Sequence, residues 1–218
     1  RPESPYRGVV LETPLPRADF TLLDTEGEPF DFRAETEGYL TFLFFGYTYC
    51  PDICPVHLAN LASVLQGLHW EDRSRVKVVF VSVDPDRDSP ERSRQWLDAF
   101  DRSFIGLRGE LEEVNAIMHS LGMPPAVFEE SPFGGDYTVG HASQIIAFRP
   151  EGPAPVIYPF GTRQSEWAHD LPLLLRTESP VRVGGAVIAE PVLGERTALY
   201  AAIENRSSRS EALIEAST

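Results

Sequence analysis

The sequence has few of the features that mark a membrane, nucleic-acid-binding or disulfide-rich protein. It holds only two cysteines, Cys50 and Cys54, in 218 residues, which is too few for a disulfide scaffold. It carries 19 lysines and arginines against 33 acidic residues, a net charge of −14. An acidic surface repels phosphate groups, so we expect no nucleic-acid partner and no binding through a basic patch to anionic lipid. No window approaches the roughly 20 consecutive apolar residues that span a bilayer.

The composition fits one globular domain with some additional chain. Hydrophobic residues make up 42% of the 218 positions, which is enough to build a buried core. Residues 1–16 contain several prolines and little periodicity, and they predict an extended lead-in. The chain begins at Arg1 rather than at methionine, so we expect that an N-terminal segment, such as a signal peptide or membrane anchor, has been removed.

The close spacing of the two cysteines points to chemistry rather than to stability. A disulfide between Cys50 and Cys54 would close a very short loop and would stabilise the fold little. Neighbouring thiols of this kind more often serve redox or metal chemistry.

Apolar periodicity predicts alternating strands and helices. Strands are predicted over 18–23, 39–47, 76–83, 105–107, 137–139, 143–148 and 155–158. Helices are predicted over 54–68, 90–101, 110–121 and from Trp167 to about 176, where Pro172 suggests an irregular start. Ser89 is a suitable N-cap and Pro90 a suitable first residue for the second of these helices.

This order of elements predicts a thioredoxin-like α/β sandwich over residues 17–177. Strands that alternate with helices pair in parallel through right-handed crossovers, and the late strands joined by a turn add an antiparallel edge. Cys50 and Cys54 lie where a central strand gives way to a helix. A helix N-terminus stabilises a thiolate through its free N–H groups and its dipole.

Three sequence blocks resemble the Sco (SenC) family. Residues 45–55 read FGYTYCPDICP, residues 81–91 read VSVDPDRDSPE, and residues 137–143 read YTVGHAS. The resemblance covers about residues 14–176, with the blocks in the family's order. It departs from the usual pattern at Gly140, which replaces an aspartate, and at His57, where another residue, often acidic, is usual.

The resemblance implies that Cys50, Cys54 and His141 are the ligands of one copper ion. Two thiolates and an imidazole form a soft, three-coordinate site that suits Cu(I) and tolerates Cu(II). We expect the spacing of the cysteines to place both sulfurs on one face of a helical turn. The site then leaves room for a ligand from a partner protein.

Asp84 and His57 each have two interpretations at this stage. Asp84 follows a buried strand. Either it supports the metal site, by orienting His141 or modulating the thiolates, or it caps its own turn with Pro85. His57 follows Cys54 by three residues, and we expect a solvent-facing helix residue in preference to a fourth or transient copper ligand.

The resemblance also implies a function and a location. Sco-like proteins deliver copper for the binuclear copper centre of cytochrome c oxidase, so the expected partner is its copper-bearing subunit, another copper protein or another copper chaperone. The expected location is the periplasm or cell envelope, with a possible anchor in the inner membrane. The alternative is a thiol–disulfide oxidoreductase that keeps the cysteines of a copper-receiving protein reduced. Against it, the cysteine spacing exceeds that of Cys-x-x-Cys, and residues 136–149 present His141 where thioredoxin-type enzymes carry a proline.

The final residues, 181–218, predict a separate β-rich extension. Strands are predicted over 181–189 and 197–204, with a further apolar alternation over 211–216. The first two segments resemble the start of a PCuAC copper chaperone domain, which would be truncated here and would lack its copper ligands. The alternative is an extension that packs on the first domain.

Overall fold

The structure is a computed structural model that describes residues 4–130, 137–176, 181–188 and 199–205. The chain divides into two compact units, residues 1–176 and residues 177–218. Among the described residues, no helix has both the length and the apolar character that a membrane crossing requires.

The first unit contains ten strands and six helices among its described residues. The strands are β1 (Val9–Leu15), β2 (Thr21–Asp24), β3 (Pro29–Asp31), β4 (Leu40–Gly46), β5 (Val76–Ser82), β6 (Ile105–Arg108), β7 (Val127–Glu130), β8 (Tyr137–Gly140), β9 (Ile145–Phe148) and β10 (Ala154–Tyr158). The helices are α1 (Phe32–Thr36), α2 (Ile53–Gln66), α3 (Trp70–Arg73), α4 (Pro90–Asp98), α5 (Leu111–Ser120) and α6 (Gln164–Leu175).

Eight of these strands form one mixed sheet. Its order is β1-β10-β9-β4-β5-β6-β2-β3, while β7 and β8 form a separate hairpin. Strands β4, β5 and β6 pair in parallel, whereas β9 and β10 add antiparallel beside β4. The arrangement confirms the predicted thioredoxin-like sandwich with its antiparallel late strands.

Strand β4 is central because helices cover both of its faces. All seven of its residues are buried. On one face, Phe42 packs edge-on against Trp167 of α6 and Phe44 contacts the ring of His57 on α2. Apolar residues on both faces of the strand account for its continuous run of hydrophobic sequence.

The opposite face of the sheet is covered in part by α1. Thr41, which alternates with Phe42 along β4, lies opposite Phe148 of β9. The ring of Phe32 in α1 packs edge-on against Phe148 at a centroid distance of 5.6 Å.

Helix boundaries follow local sequence signals. Ser89 caps α4 as predicted, because its Oγ accepts the Arg92 N–H at 3.2 Å and Pro90 begins the helix. Pro172, by contrast, lies inside the last turn of α6 rather than at an irregular start, so that expectation was wrong.

The predicted extended lead-in contains a sheet strand. β1 pairs antiparallel with β10, and the N–H groups of Arg7 and Gly8 donate to the buried Asp170 carboxylate of α6. Most β1 side chains are exposed, so the sequence has no apolar alternation that would reveal the strand.

The second unit is described as two strands, β11 (Val181–Ile188) and β12 (Leu199–Asn205), that pair antiparallel. Both strands were predicted. The third predicted segment, residues 211–216, lies outside the described residues, and the likeness of this unit to a PCuAC domain stays a prediction.

Candidate metal centre

Three side chains with metal-binding atoms meet at the end of β4. The sulfurs of Cys50 and Cys54 and a ring nitrogen of His141 all lie within 4.8 Å of one another. The cysteines come from the β4–α2 junction, and His141 directly follows β8. Residues far apart in sequence therefore form one site only when the chain is folded.

Cys50 lies in the turn that precedes α2. Its N–H donates to the Tyr47 carbonyl at 3.2 Å, and its Sγ accepts the Cys54 N–H at 3.3 Å. The side chain of Asp52, the N-cap residue, makes no capping hydrogen bond. The Cys50 sulfur thus binds a free N–H at the helix start, rather than lying on a helical turn together with Cys54.

Cys54 lies inside the helix and is fully buried. It packs closely on Gly46, where a Cβ atom would lie only 2.9 Å from the Cys54 Sγ. A glycine at the end of β4 is therefore needed for the sulfur to reach this position.

The contacts of His141 define which ring nitrogen can bind a metal. Its Nδ1 lies 2.9 Å from the Ala142 carbonyl, which can only accept a hydrogen bond, so we assign the proton to Nδ1. Nε2 is then the nitrogen that faces the sulfurs, and it lies 3.5 Å from the Cys54 Sγ. A carbonyl on the far nitrogen is the usual means of orienting a ligand histidine.

Aromatic side chains enclose the imidazole. The ring of Tyr47 contacts His141 edge-on at 5.7 Å, and Phe44 does so at 6.2 Å. The Tyr47 hydroxyl also accepts the Val139 N–H at 3.4 Å, which links β8 to the cysteine turn.

The two cysteines differ strongly in their acidity. The pKa of Cys50 is lowered to about 4, chiefly by the hydrogen bond from the Cys54 thiol, with further help from His141 and from the N–H groups of Cys54 and Asp52. The pKa of Cys54 is raised by the same hydrogen bond and by burial. The pair therefore favours a thiolate at Cys50 and a thiol at Cys54.

The SCO1/SenC family model matches residues 11–176. The chain belongs to the SCO1/SenC family. A protein of Stutzerimonas stutzeri, whose name describes a candidate copper-binding protein, is 36% identical over 148 residues, covering 66% of this chain and 70% of that one. Mitochondrial SCO2 of Saccharomyces cerevisiae is 31% identical over 147 residues, covering 67% of this chain but only 47% of the yeast protein.

A solved SCO1/SenC structure shares the fold. The copper-bound structure of ScoI from Bradyrhizobium japonicum matches with a TM-score of 0.63 and 31% identity, covering 74% of this chain and 99% of that one.

In this SCO1/SenC chain, Asp84 contacts the site indirectly. The carboxylate is fully buried, forms an ion pair with Arg87 Nε at 2.6 Å and accepts the Tyr137 hydroxyl at 2.7 Å. Its hydrogen bonds do not reach His141 or the cysteines, but Tyr137 begins β8, the strand that precedes His141. Burial and the bond to Asp84 raise the pKa of Tyr137 to about 12, so its hydroxyl remains a donor.

Asp88 is a further buried residue of the site that the sequence did not reveal. It accepts the Thr48 N–H at 3.1 Å, the Thr48 hydroxyl at 2.6 Å and the Ser82 hydroxyl at 2.7 Å. These hydrogen bonds hold the turn that carries Thr48 and Cys50 against the end of β5. Burial raises the pKa of Asp88, and the hydrogen bonds oppose that rise. The only sequence signal is its place in the second SCO1/SenC block.

His57 is not solvent-facing, so the sequence expectation was wrong. Its side chain is 2% exposed and packs between Phe44 at 5.5 Å and Phe160 at 5.4 Å. Phe160 follows β10, so its contact with α2 could not be inferred from the helix sequence. His57 does not belong to the three-residue cluster.

Proposed function

We propose that this protein binds one copper ion through Cys50, Cys54 and His141 Nε2 and delivers it to a copper protein. The observation that carries the proposal is the convergence of two sulfurs and one imidazole nitrogen within 4.8 Å. The donor set fits copper because thiolate and imidazole are the ligands that Cu(I) prefers.

Loading changes the protonation of the site in a defined way. Cys50 has a lowered pKa and can bind copper as the thiolate, and His141 binds through Nε2 when that nitrogen carries no proton. Cys54 holds the remaining proton and releases it when its sulfur binds the metal. Three ligands leave a coordination position open, through which a ligand of the acceptor protein can enter.

Membership of the SCO1/SenC family is the basis for proposing an acceptor and a location. We propose the binuclear copper centre of cytochrome c oxidase as the destination, with the copper-bearing subunit as partner, and the periplasm or cell envelope as the location. The copper-bound Bradyrhizobium japonicum relative supports the metal. Asp84 supports the site indirectly, because it accepts a hydrogen bond from Tyr137 at the start of the strand that leads to His141.

An anaerobic titration of the reduced protein with Cu(I) tests the proposal. We expect one equivalent to bind tightly, and we expect Cys50→Ser, Cys54→Ser and His141→Ala each to weaken binding by at least about tenfold. His119→Ala, at the end of α5, is the matched control and should bind like the natural chain. Tight binding that is unchanged by loss of His141 would contradict the three-ligand site.

The thiol–disulfide oxidoreductase remains the second candidate, because the low pKa of Cys50 also suits a nucleophilic thiolate. The two candidates separate in one assay. Turnover of a small disulfide by the metal-free protein, together with failure to bind Cu(I), would favour the oxidoreductase over the copper carrier.

A further inference from the structure

One buried imidazole beside the metal centre has no role in the proposed copper site. His57 is 2% exposed, and neither of its ring nitrogens makes a well-formed hydrogen bond among the described residues, although the Pro159 carbonyl lies near the ring. Buried polar groups in proteins are nearly always paired, so an unpaired imidazole here calls for a functional explanation.

The position of His57 brings it close to one of the copper ligands. Cys54 and His57 are three residues apart on α2, and residues at this spacing lie on one face, with Cβ atoms about 5–6 Å apart. Both side chains are buried, with Cys54 at 0% and His57 at 2% exposed.

His57 and His141 border the same aromatic ring. Phe44 contacts His57 at 5.5 Å and His141 at 6.2 Å. Cys54 is the common neighbour of the two imidazoles, because it lies 3.5 Å from His141 Nε2 and one helical turn before His57.

The surroundings of His57 keep its ring in the form that binds metals. Burial lowers the pKa of His57, and the nearby Pro159 carbonyl opposes this only in part. A neutral imidazole always has one nitrogen with a free lone pair. On the outer side the ring is covered by Phe160, which is 42% exposed.

We propose that His57 is an alternative copper ligand, which replaces His141 while copper enters or leaves the site. The proposal rests on the copper-binding function proposed above. In the exchange, the bond from copper to His141 Nε2 breaks and a bond from copper to a His57 ring nitrogen forms, while both sulfurs stay bound. Copper binds an imidazole nitrogen that carries no proton, so one neutral imidazole ligand replaces another and no electron is transferred.

The exchange has a structural reason. His57 is outside the cluster of three, so it is not among the ligands that hold copper together with His141. When an acceptor protein pulls His141 aside, His57 can keep copper three-coordinate. The released His141 then leaves the exposed side of the ion free for the acceptor.

Copper transfer kinetics test the proposal. His57→Phe retains the aromatic packing between Phe44 and Phe160 and removes the lone pair, and His69→Phe, at an exposed position, is the matched control. With Cu(I) bound, we expect His57→Phe to keep the affinity within about threefold but to slow transfer to a chromophoric Cu(I) chelator by about tenfold. In the His141→Ala background, adding His57→Phe should lower the affinity by a further factor of about ten, which is coupling that independent sites would not show.

A direct readout comes from the imidazole nitrogens of the protein with His57 intact. Cu(I) is diamagnetic, so the ¹⁵N resonances of His57 can be followed by NMR during the titration. We expect a His57 ring nitrogen to shift on adding Cu(I) to His141→Ala. If His57 does not shift there, and if His57→Phe changes neither transfer nor affinity, His57 is structural and the inference is overturned. Failure of the natural chain to bind Cu(I) would instead overturn the proposed function itself.

Discussion

At the scale of single residues, the two sulfurs of the site have different environments. Cys50 is partly exposed and accepts hydrogen bonds from the start of α2, whereas Cys54 is buried against Gly46. The charge of the metal-free site therefore resides on the outer sulfur, which is the one that an incoming copper ion or copper donor meets first.

This asymmetry predicts the pH dependence of alkylation in the reduced, metal-free protein. Because the pKa of Cys50 is about 4, its reaction with iodoacetamide should stay nearly constant from about pH 8 down to about pH 5. Cys54 should not react in the folded protein, since its pKa is raised and its side chain is buried. Mass spectrometry identifies the modified residue. A rate that falls about tenfold for each pH unit below 8, as for an ordinary thiol, would contradict the assignment.

Gly46 supplies a second prediction at this scale. In Gly46→Ala the new Cβ would lie 2.9 Å from both the Cys54 Sγ and a ring carbon of Phe80, so the sulfur must move. We expect a loss of about 1–3 kcal/mol in unfolding free energy, measured by urea denaturation, together with weaker Cu(I) binding. Gly67→Ala, at the end of α2 where the nearest atom is 3.4 Å away, is the control and should change both quantities far less.

At the scale of elements, the site depends on three connecting segments that meet near the end of β4. The turn after β4 carries Cys50, the loop after β5 carries Asp88, and the segment after β8 carries His141. Asp88 links the loop after β5 to the turn after β4 through its hydrogen bond with Thr48. Asp84 links the same loop to β8 through its hydrogen bond with Tyr137.

The hydrogen bonds of Asp88 can be tested by removing them. Asp88→Ala leaves the buried N–H and hydroxyl of Thr48 without their acceptor, so we expect a loss of about 2–3 kcal/mol in unfolding free energy. Copper affinity should fall as well, because the cysteine turn loses its anchor. Asp86→Ala removes an exposed carboxylate from the same loop and should be close to neutral. Equal effects of the two substitutions would show that the anchor is not needed.

The sequence predicted those elements whose signals are local. The apolar run of β4, the helical spacing in α2 and the cap at Ser89 were all readable within a few residues. β1 was missed because its edge pairing with β10 leaves most of its side chains exposed. The burial of His57 and the contact of Asp84 with Tyr137 were missed for a related reason, since each depends on a segment distant in the chain.

The residues of the metal centre could be predicted only in part from the sequence pattern itself. The cysteines were conspicuous as the only two in the chain, but His141 was selected from five histidines by resemblance to a family. The assignment of its free nitrogen needed the position of the Ala142 carbonyl, which no sequence pattern supplies.

At the scale of the whole molecule, the metal centre lies within one of two compact units. All three clustered residues belong to the unit of residues 1–176, and residues 177–218 form the other. The likeness of the second unit to the start of a further copper chaperone domain stays a prediction, and residues 177–218 contain no cysteine, histidine or methionine.

This division predicts that the second unit is dispensable for copper binding. A chain ended at Arg176 should remain folded, as judged by circular dichroism, and should bind one equivalent of Cu(I) with an affinity within about threefold of the full chain. Loss of folding or of copper binding would show that residues 177–218 complete the first unit.

The most direct test of the copper centre is X-ray absorption spectroscopy of the Cu(I)-loaded protein. The site predicts one copper ion per chain with two sulfur neighbours and one imidazole nitrogen, and loss of that nitrogen when both imidazoles are removed by combining His141→Ala with His57→Phe. A first shell of sulfur atoms alone in the natural chain, or an imidazole nitrogen that persists in the double variant, would contradict it.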